Sequence, residues 1–133
     1  MGVELTKDSI DLGIVIKDPE ASLKFYRDVL GFQDAGSNPM PGGGGTMYRL
    51  MCGTSMIKLV HPEKEGASPA RGGIAGGFGY RYWTMSVSNL EALTTAIGEA
   101  GYKVRVAPTE IRPGTSISIV EDPDGNWVEF LQA

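Results

Sequence analysis

Two charged side chains stand in the middle of otherwise apolar strand patterns. Glu129 lies at the centre of the alternating run 127–131, and Lys58 lies at the centre of the run 55–61. Such alternation predicts a strand with one buried face. A carboxylate or an ammonium among apolar neighbours is costly to bury unless it meets an opposite charge, a hydrogen-bond partner or a ligand. Both residues are therefore candidates for chemistry rather than for folding alone.

Proton transfer is the chemistry that these residue types could carry. A lysine close to a carboxylate in an apolar cleft shifts the pKa values of both groups. Such shifts can bring a group into the range in which a general acid or base works. Under this hypothesis the catalytic residues are Lys58, Tyr82 and Glu129, with Glu129 or Asp11 as the base and Tyr82 as the acid.

The single histidine and the single cysteine do not predict a nucleophilic site. His61 is out of phase with Lys58 along the same strand, so we expect it to face away from the cleft. Cys52 has no histidine near it in sequence to activate its thiol, and we expect a small buried residue. A lone cysteine also excludes an internal disulfide and is typical of a reducing compartment.

Each half of the chain predicts the same series of elements, namely a strand, a helix and then three strands. In the first half the strands are 10–17, 32–36, 46–52 and 55–61, and the helix is 19–30. In the second half the strands are 80–88, 102–106, 116–121 and 126–131, and the helix is 90–100. The predicted N-caps of the two helices are Asp18 and Asn89, and the predicted stops are Gly31 and Gly101.

The spacing from the first strand to the helix cap is repeated as well. Asp18 follows Asp11 by seven residues, and Asn89 follows Tyr82 by seven. A unit of roughly 70 residues that occurs twice indicates an internal duplication. Because each helix covers only one face of its sheet, the other face must be closed by the second half.

The predicted architecture is a single α+β domain over residues 1–133 in which two βαβββ modules form a cleft. The modules are residues 8–61 and 80–132. The glycine-rich linker 62–79 between them is long enough to be a lid or a mobile flap. The glycine-rich stretch 37–45 predicts a flexible loop.

The residues predicted to face the cleft are mostly aromatic or apolar, with a few charges near the centre. Such a surface suits a planar or aromatic small molecule, which stacks on aromatic rings and is oriented by a few polar groups. Arg49 can point inward or lie on a solvated edge, and Trp127 and Tyr82 can equally be packing residues between the modules. The candidate ligand-binding residues are Asp11, Arg49, Met56, Tyr80, Thr84 and Trp127. The other residues predicted to face inward are Gly13, Val15, Lys58, Val60, Tyr82, Glu129 and Leu131.

Composition and charge exclude several classes of partner. The net charge is −4 and the pI is near 4.9, with no basic stripe or basic helix for nucleic acid or an anionic membrane. We find neither a signal peptide nor a run long enough to span a membrane. The expected location is the cytoplasm.

Two motifs resemble the vicinal oxygen chelate superfamily, which includes glyoxalase I, bleomycin resistance proteins, fosfomycin resistance enzymes, extradiol dioxygenases and methylmalonyl-CoA epimerase. The motif 17–32 is similar to the first strand and helix of that family, and the motif 121–130 is similar to its last turn and strand. The resemblance covers nearly the whole chain and implies the glyoxalase/bleomycin resistance-like fold. It is weak evidence for the reaction, because this fold hosts many chemistries.

The resemblance also implies where a divalent metal would be held. The family's ligands come from its first, fourth, fifth and eighth strands, and the matching residues here are Asp11, Lys58, Tyr82 and Glu129. Only Glu129 is of the family's usual type, and an ammonium has no lone pair to offer a metal. We therefore expect no cofactor, with Lys58 paired to Glu129 or Asp11. The residual ligands for a weak manganese or magnesium site are Asp11 and Glu129.

Two functions remain open from the sequence. The first is a metal-free protein that binds an aromatic or amphipathic compound, as in antibiotic or toxin resistance; likeness to the bleomycin resistance branch then implies a homodimer. The second is an enzyme that isomerises, eliminates from or opens an activated carbonyl or heteroaromatic compound, in the manner of an isomerase, lyase or dioxygenase. It would be metal-free or use a weak manganese or magnesium site. Metal-dependent glyoxalase activity is not expected.

Overall fold

The computed structural model describes residues 2, 4–66 and 71–133. In the first part of the chain the elements are β1 (Leu12–Val15), α1 (Pro19–Leu23, continued by a π-helix over Lys24–Val29), β2 (Gln33–Pro39), β3 (Gly45–Cys52) and β4 (Ser55–Pro62). In the second part they are a 3-10 turn (Gly73–Gly76), β5 (Tyr82–Ser86), α2 (Leu90–Glu99), β6 (Val104–Arg112), β7 (Thr115–Glu121) and β8 (Trp127–Gln132). None of the helices in these described ranges is long and apolar enough to cross a membrane.

The chain divides after Gly66 into two compact units with the same topology. Each unit has a four-stranded sheet, in the order β1-β4-β3-β2 in the first and β5-β8-β7-β6 in the second. The first strand pairs in parallel with the last, and the other pairs are antiparallel. These sheets confirm the prediction of two βαβββ modules in an α+β fold. The boundary between the units falls within the predicted linker.

The start of α1 follows directly from its sequence. The Asp18 carboxylate accepts hydrogen bonds from the backbone N–H groups of Glu20, at 3.0 Å, and Ala21, at 3.3 Å. Pro19 occupies the first helical position, where its missing N–H costs nothing. Gly31 ends the helical segment with a φ of 79°, a conformation that glycine adopts without strain.

The second part of this helical segment is a π-helix, which the apolar pattern did not predict. The backbone N–H of Leu30 donates to the carbonyl of Phe25 at 2.9 Å, five residues back. The wider turn sets Phe25 and Tyr26 side by side, both fully buried, with ring centroids 4.8 Å apart at an interplanar angle of 89°. Tyr26 also stacks on Phe32 at 6.0 Å, so the segment is held by its aromatic packing.

The cap of α2 differs from the prediction. Asn89 is at the N-cap position, but its side chain makes no capping hydrogen bond. The amide oxygen of Gln132, at the end of β8, instead accepts from the backbone N–H of Leu90 at 2.9 Å. The buried face of the helix includes Thr94, whose hydroxyl lies 2.7 Å from that of Ser118 on β7. A partner distant in sequence therefore replaces the local cap.

Several strand boundaries were predicted wrongly. The predicted flexible loop 37–45 is in part strand, because β2 continues to Pro39 along β3. Likewise β6 continues to Arg112, although Pro108 interrupts its pattern. Both strands lie at the outer edge of their sheets, where a residue without an N–H group is tolerated.

Candidate functional site

The face of the first sheet that its helix leaves uncovered carries two neighbouring cations. In the strand register Lys58 of β4 pairs with Gly13 of β1 on one side and with Arg49 of β3 on the other. Lys58 alternates with Ile57 and Leu59, which are buried on the helix side, so the row of three lies on the opposite face. A Cβ at Gly13 would meet no atom within 4 Å, which leaves open space beside Lys58. We call this surface the open face of the first module; it comprises Gly13, Val15, Met47, Arg49, Met51, Met56, Lys58 and Val60.

Asp11, just before β1, is shared between two ammonium groups. Its carboxylate lies 2.7 Å from Lys7 Nζ and 3.5 Å from Lys58 Nζ. The hydrogen bond from Lys7 is the largest cause that lowers the pKa of Asp11; desolvation opposes it, and Lys58 adds to the lowering. A carboxylate with a lowered pKa is a weak base near neutral pH. Sequence reasoning missed Lys7, because a spacing of four residues brings side chains together in a helix and residues 7–11 are not helical.

The donor groups of this module do not fit the metal of the family. Asp11 is already paired with two ammonium groups, and the ammonium of Lys58 has no lone pair for a metal. Neither module, within the residues that the structure describes, contains a group of three His, Cys, Asp or Glu side chains arranged to hold a metal ion.

Arg49 lies on the open face with its guanidinium over a bulge in β2. Asp34 pairs with Leu50 and Ser37 with Tyr48, so residues 35–36 both stand opposite Arg49. A Cβ at Gly36 would lie 3.5 Å from Arg49 Nη2. The Nε atom of Arg49 is buried and meets no hydrogen-bond acceptor in residues 4–66. The sequence alone left the orientation of the Arg49 side chain open, because alternation along a strand does not show which strand lies beside it.

In the second module Glu129 is hydrogen-bonded to a hydroxyl on the neighbouring strand. Thr84 of β5 is its partner in the register, and Thr84 Oγ1 donates to Glu129 Oε1 at 2.6 Å. Tyr82, two residues before Thr84 on the same face, is exposed. Thr84 was predicted as a ligand-binding residue and not as the partner of Glu129. Its phase with Tyr82 indicated the face of β5 on which it lies, and the pairing of β5 with β8 was needed to identify it as the partner of Glu129.

Trp127 packs against the glycine-rich segment that precedes β5. A Cβ at Gly73 would overlap the Trp127 indole ring, so the ring rests directly on the backbone of the 3-10 turn. Arg81 holds the same turn, with Nε and Nη2 donating to the Gly73 carbonyl at 2.8 and 2.6 Å. This part of the predicted lid is thus a defined turn. Residues 67–70 of the predicted linker lie outside the described residues.

The remaining predicted residues are placed as follows. Met56 is half-buried on the open face of the first module, two residues from Lys58. Tyr80 is fully exposed and precedes β5, which begins at Tyr82 rather than at Tyr80 as predicted. His61 is half-buried near the end of β4.

Cys52 is expected to react slowly with thiol reagents in the folded protein. Burial raises the pKa of its thiol, and the thiolate is the reactive form. Its rate with Ellman's reagent should therefore rise only at a higher pH than that of a free cysteine, and unfolding in urea should remove the difference. A rate equal to that of free cysteine at neutral pH would contradict this expectation.

Comparison with known proteins agrees with the two-module fold. The family model described as Glyoxalase/Bleomycin resistance protein/Dioxygenase superfamily matches residues 9–130. A probable lactoylglutathione lyase from Synechocystis sp. is 29% identical over 120 residues, which is 90% of each chain. A glyoxalase family protein from Bacillus cereus superposes with a TM-score of 0.82 at 12% identity, over 98% of this chain and 95% of that one. A lactoylglutathione lyase from Agrobacterium tumefaciens superposes with a TM-score of 0.66 at 22% identity, over 93% and 92%.

The two superpositions show the fold, since identity at this level does not carry a reaction with it. The match of the family model spans nearly the whole chain. The protein therefore belongs to the Glyoxalase/Bleomycin resistance protein/Dioxygenase superfamily.

Proposed function

We propose that this protein is a cytoplasmic homodimer that binds an aromatic or amphipathic small molecule without a metal ion, as bleomycin resistance proteins do. The observation that carries the proposal is the ion pair of Lys58 with Asp11, at 3.5 Å. These residues stand at two of the four positions that match the family's metal ligands. An ammonium at one of them repels a cation, and its pairing occupies the carboxylate at the other.

The composition of the open face supports the binding of a small molecule. Lys58 is flanked along β4 by Met56 and Val60, so a charged group stands between apolar ones. Pockets for small molecules have this make-up, with apolar walls and a few polar groups that orient the ligand. A homodimer agrees with the general preference of soluble proteins for two-fold assemblies.

An enzyme is the second candidate, and the 29% identity to the probable lactoylglutathione lyase favours it over a binder. The pairing of Lys58 with Asp11 supports a metal-free form of this enzyme. Under this alternative Glu129 acts as the base and Tyr82 as the acid, on the neighbouring strands β8 and β5. The substrate would be an activated carbonyl or heteroaromatic compound.

Metal analysis separates these proposals from a metalloenzyme. Protein incubated with manganese, magnesium, nickel or zinc and then dialysed is expected to retain well below one metal ion per chain, because Lys58 and Asp11 neutralise each other. The same samples should show no lactoylglutathione lyase activity. A stoichiometric metal that is lost in Glu129→Gln would overturn the proposal.

Binding and turnover separate the binder from the metal-free enzyme. A panel of aromatic and amphipathic compounds is screened by thermal shift, and each compound that binds is recovered and analysed by mass spectrometry. Recovery of the unchanged compound supports the binder. Conversion that Lys58→Met and Glu129→Gln both abolish supports the enzyme instead.

A further inference from the structure

We infer that the open face of the first module binds the oxyanion of an organic acid through Arg49 and Lys58, while its apolar residues hold the body of the ligand. This inference rests on the proposed function and names the class of ligand for that site. It is carried by four observations: an opposed pair of cations, a buried guanidinium donor without an acceptor, glycines at both ends of the row, and apolar flanks.

The two cations stand at directly opposed backbone positions on adjacent strands, with Lys58 Nζ beside Asp11 and the Arg49 guanidinium over Gly36. Arg49 and Lys58 are register partners on antiparallel strands, which brings their Cβ atoms to about 5 Å, and like charges in that position destabilise a sheet. In residues 4–66 Asp11 lies within ion-pair distance of Lys58 and of Lys7, and no carboxylate lies within that distance of Arg49. Lys7, Arg49 and Lys58 therefore have one paired carboxylate between them, a local excess of two positive charges in a chain of net charge −4. A bound anion would balance that excess.

Arg49 offers the donors that such an anion needs. Its Nε is buried and makes no hydrogen bond within the described residues of the first module. Leaving a buried donor without a partner is unfavourable. The planar guanidinium presents paired N–H groups that match the two oxygens of a carboxylate or phosphate. Because Nε has no accessible surface, a ligand oxyanion would pair with the terminal N–H groups of the guanidinium.

Glycines lie at both ends of the cation row. Beside Lys58, Gly13 leaves open space on β1. Beside Arg49, the bulge in β2 places Gly36 next to the guanidinium with a φ of 97°, and Asp34 fixes this bulge by accepting from the Gly36 N–H at 2.7 Å. Bulges of this kind re-aim the chain and its neighbours. Across the sheet the row therefore consists of Gly13, Lys58, Arg49 and Gly36.

Apolar side chains flank the row on both sides. On one side the register aligns Val15, Val60 and Met47, and on the other it pairs Met56 with Met51. Val15 is 64% exposed and is therefore available to a ligand. Methionine adapts its shape to irregular apolar surfaces. A cation row between apolar flanks suits an amphipathic acid better than a bare inorganic anion.

Matched probes test the inference by isothermal titration calorimetry on the full chain. The probes are 2-naphthoate, 2-naphthyl phosphate, the neutral 2-naphthamide and inorganic phosphate. We expect one or both organic anions to bind at least about tenfold more tightly than the amide and than inorganic phosphate, with an affinity that falls as salt is raised. The two organic anions distinguish a carboxylate from a phosphate preference.

Variants then test whether the anion binds at Arg49 and Lys58. Arg49→Met and Lys58→Met keep the length of the side chain and remove its charge, and each should weaken binding of the anion by about tenfold or more. Lys64→Met makes the same charge change at an exposed position of the same module, and should bind like the wild type. Without ligand, Arg49→Met should melt no lower than the wild type, because it removes one of two opposed charges.

Three outcomes would overturn the inference: equal binding of amide and anion, no binding of either organic anion, or wild-type binding by both row variants. Equal binding of the amide would leave the proposed function standing, because an aromatic ligand is still held. Metal-dependent lyase activity would instead remove the proposed function, whatever the anion titrations give.

Discussion

Asp122→Ala is expected to lower the free energy of unfolding by about 2–4 kcal/mol. The Asp122 carboxylate is only 5% exposed and holds the turn that leads into β8. It accepts from the backbone N–H groups of Asp124, at 2.9 Å, and Asn126, at 2.8 Å, and from the side-chain amide of Asn126 at 2.8 Å. Alanine leaves these donors without their acceptor in a partly buried turn.

Urea unfolding followed by tryptophan fluorescence measures this effect, because Trp83 and Trp127 both belong to the second module. Glu110→Ala removes an exposed carboxylate of the same module and is the control, with an expected change close to zero. Asp122→Asn keeps one acceptor oxygen and should fall between the two. A loss below about 1 kcal/mol in Asp122→Ala would show that the turn does not depend on this carboxylate.

Phe25→Ala is expected to cost about 3–5 kcal/mol in the first module. Phe25 is fully buried and meets Tyr26 edge to face at 4.8 Å. Truncation removes this contact and leaves a cavity under the π-helix. The aromatic packing that holds this helix is thereby weakened. Phe78→Ala makes the same change at a fully exposed position and should leave stability nearly unchanged.

Far-UV circular dichroism follows unfolding of both modules, while tryptophan fluorescence follows only the second. If Phe25→Ala shifts both signals equally, the modules unfold as one cooperative unit. If it shifts only the dichroism, each module unfolds separately. An unchanged dichroism midpoint would contradict the assignment of Phe25 to the core.

The sequence predicted those features that short-range chemistry decides. Asp18 and Pro19 mark the start of α1 because capping needs only neighbouring residues. The turn 122–125 was also readable, and Gly125 has the positive φ, 88°, that its position in the turn indicated. The two-module organisation could be predicted because the same series of elements occurs twice.

Features that depend on distant partners could not be predicted. The π-helix depends on how Phe25 and Tyr26 pack, and the cap of α2 comes from Gln132 on another element. The orientation of Arg49 required the register of β3 with β4, and the bulge opposite it required the register with β2. The partner of Glu129 likewise required the pairing of β5 with β8.

The outer strands of both sheets are built in a way that discourages aggregation. An edge strand exposes unpaired N–H and C=O groups, onto which a second chain can add. Here β1 has only four residues and β5 only five, while the longer β2 and β6 have irregular registers and contain Pro39 and Pro108. Short length, bulges and proline all hinder edge-to-edge pairing. The bulge beside Arg49 therefore also protects the free chain from forming intermolecular sheets at this edge.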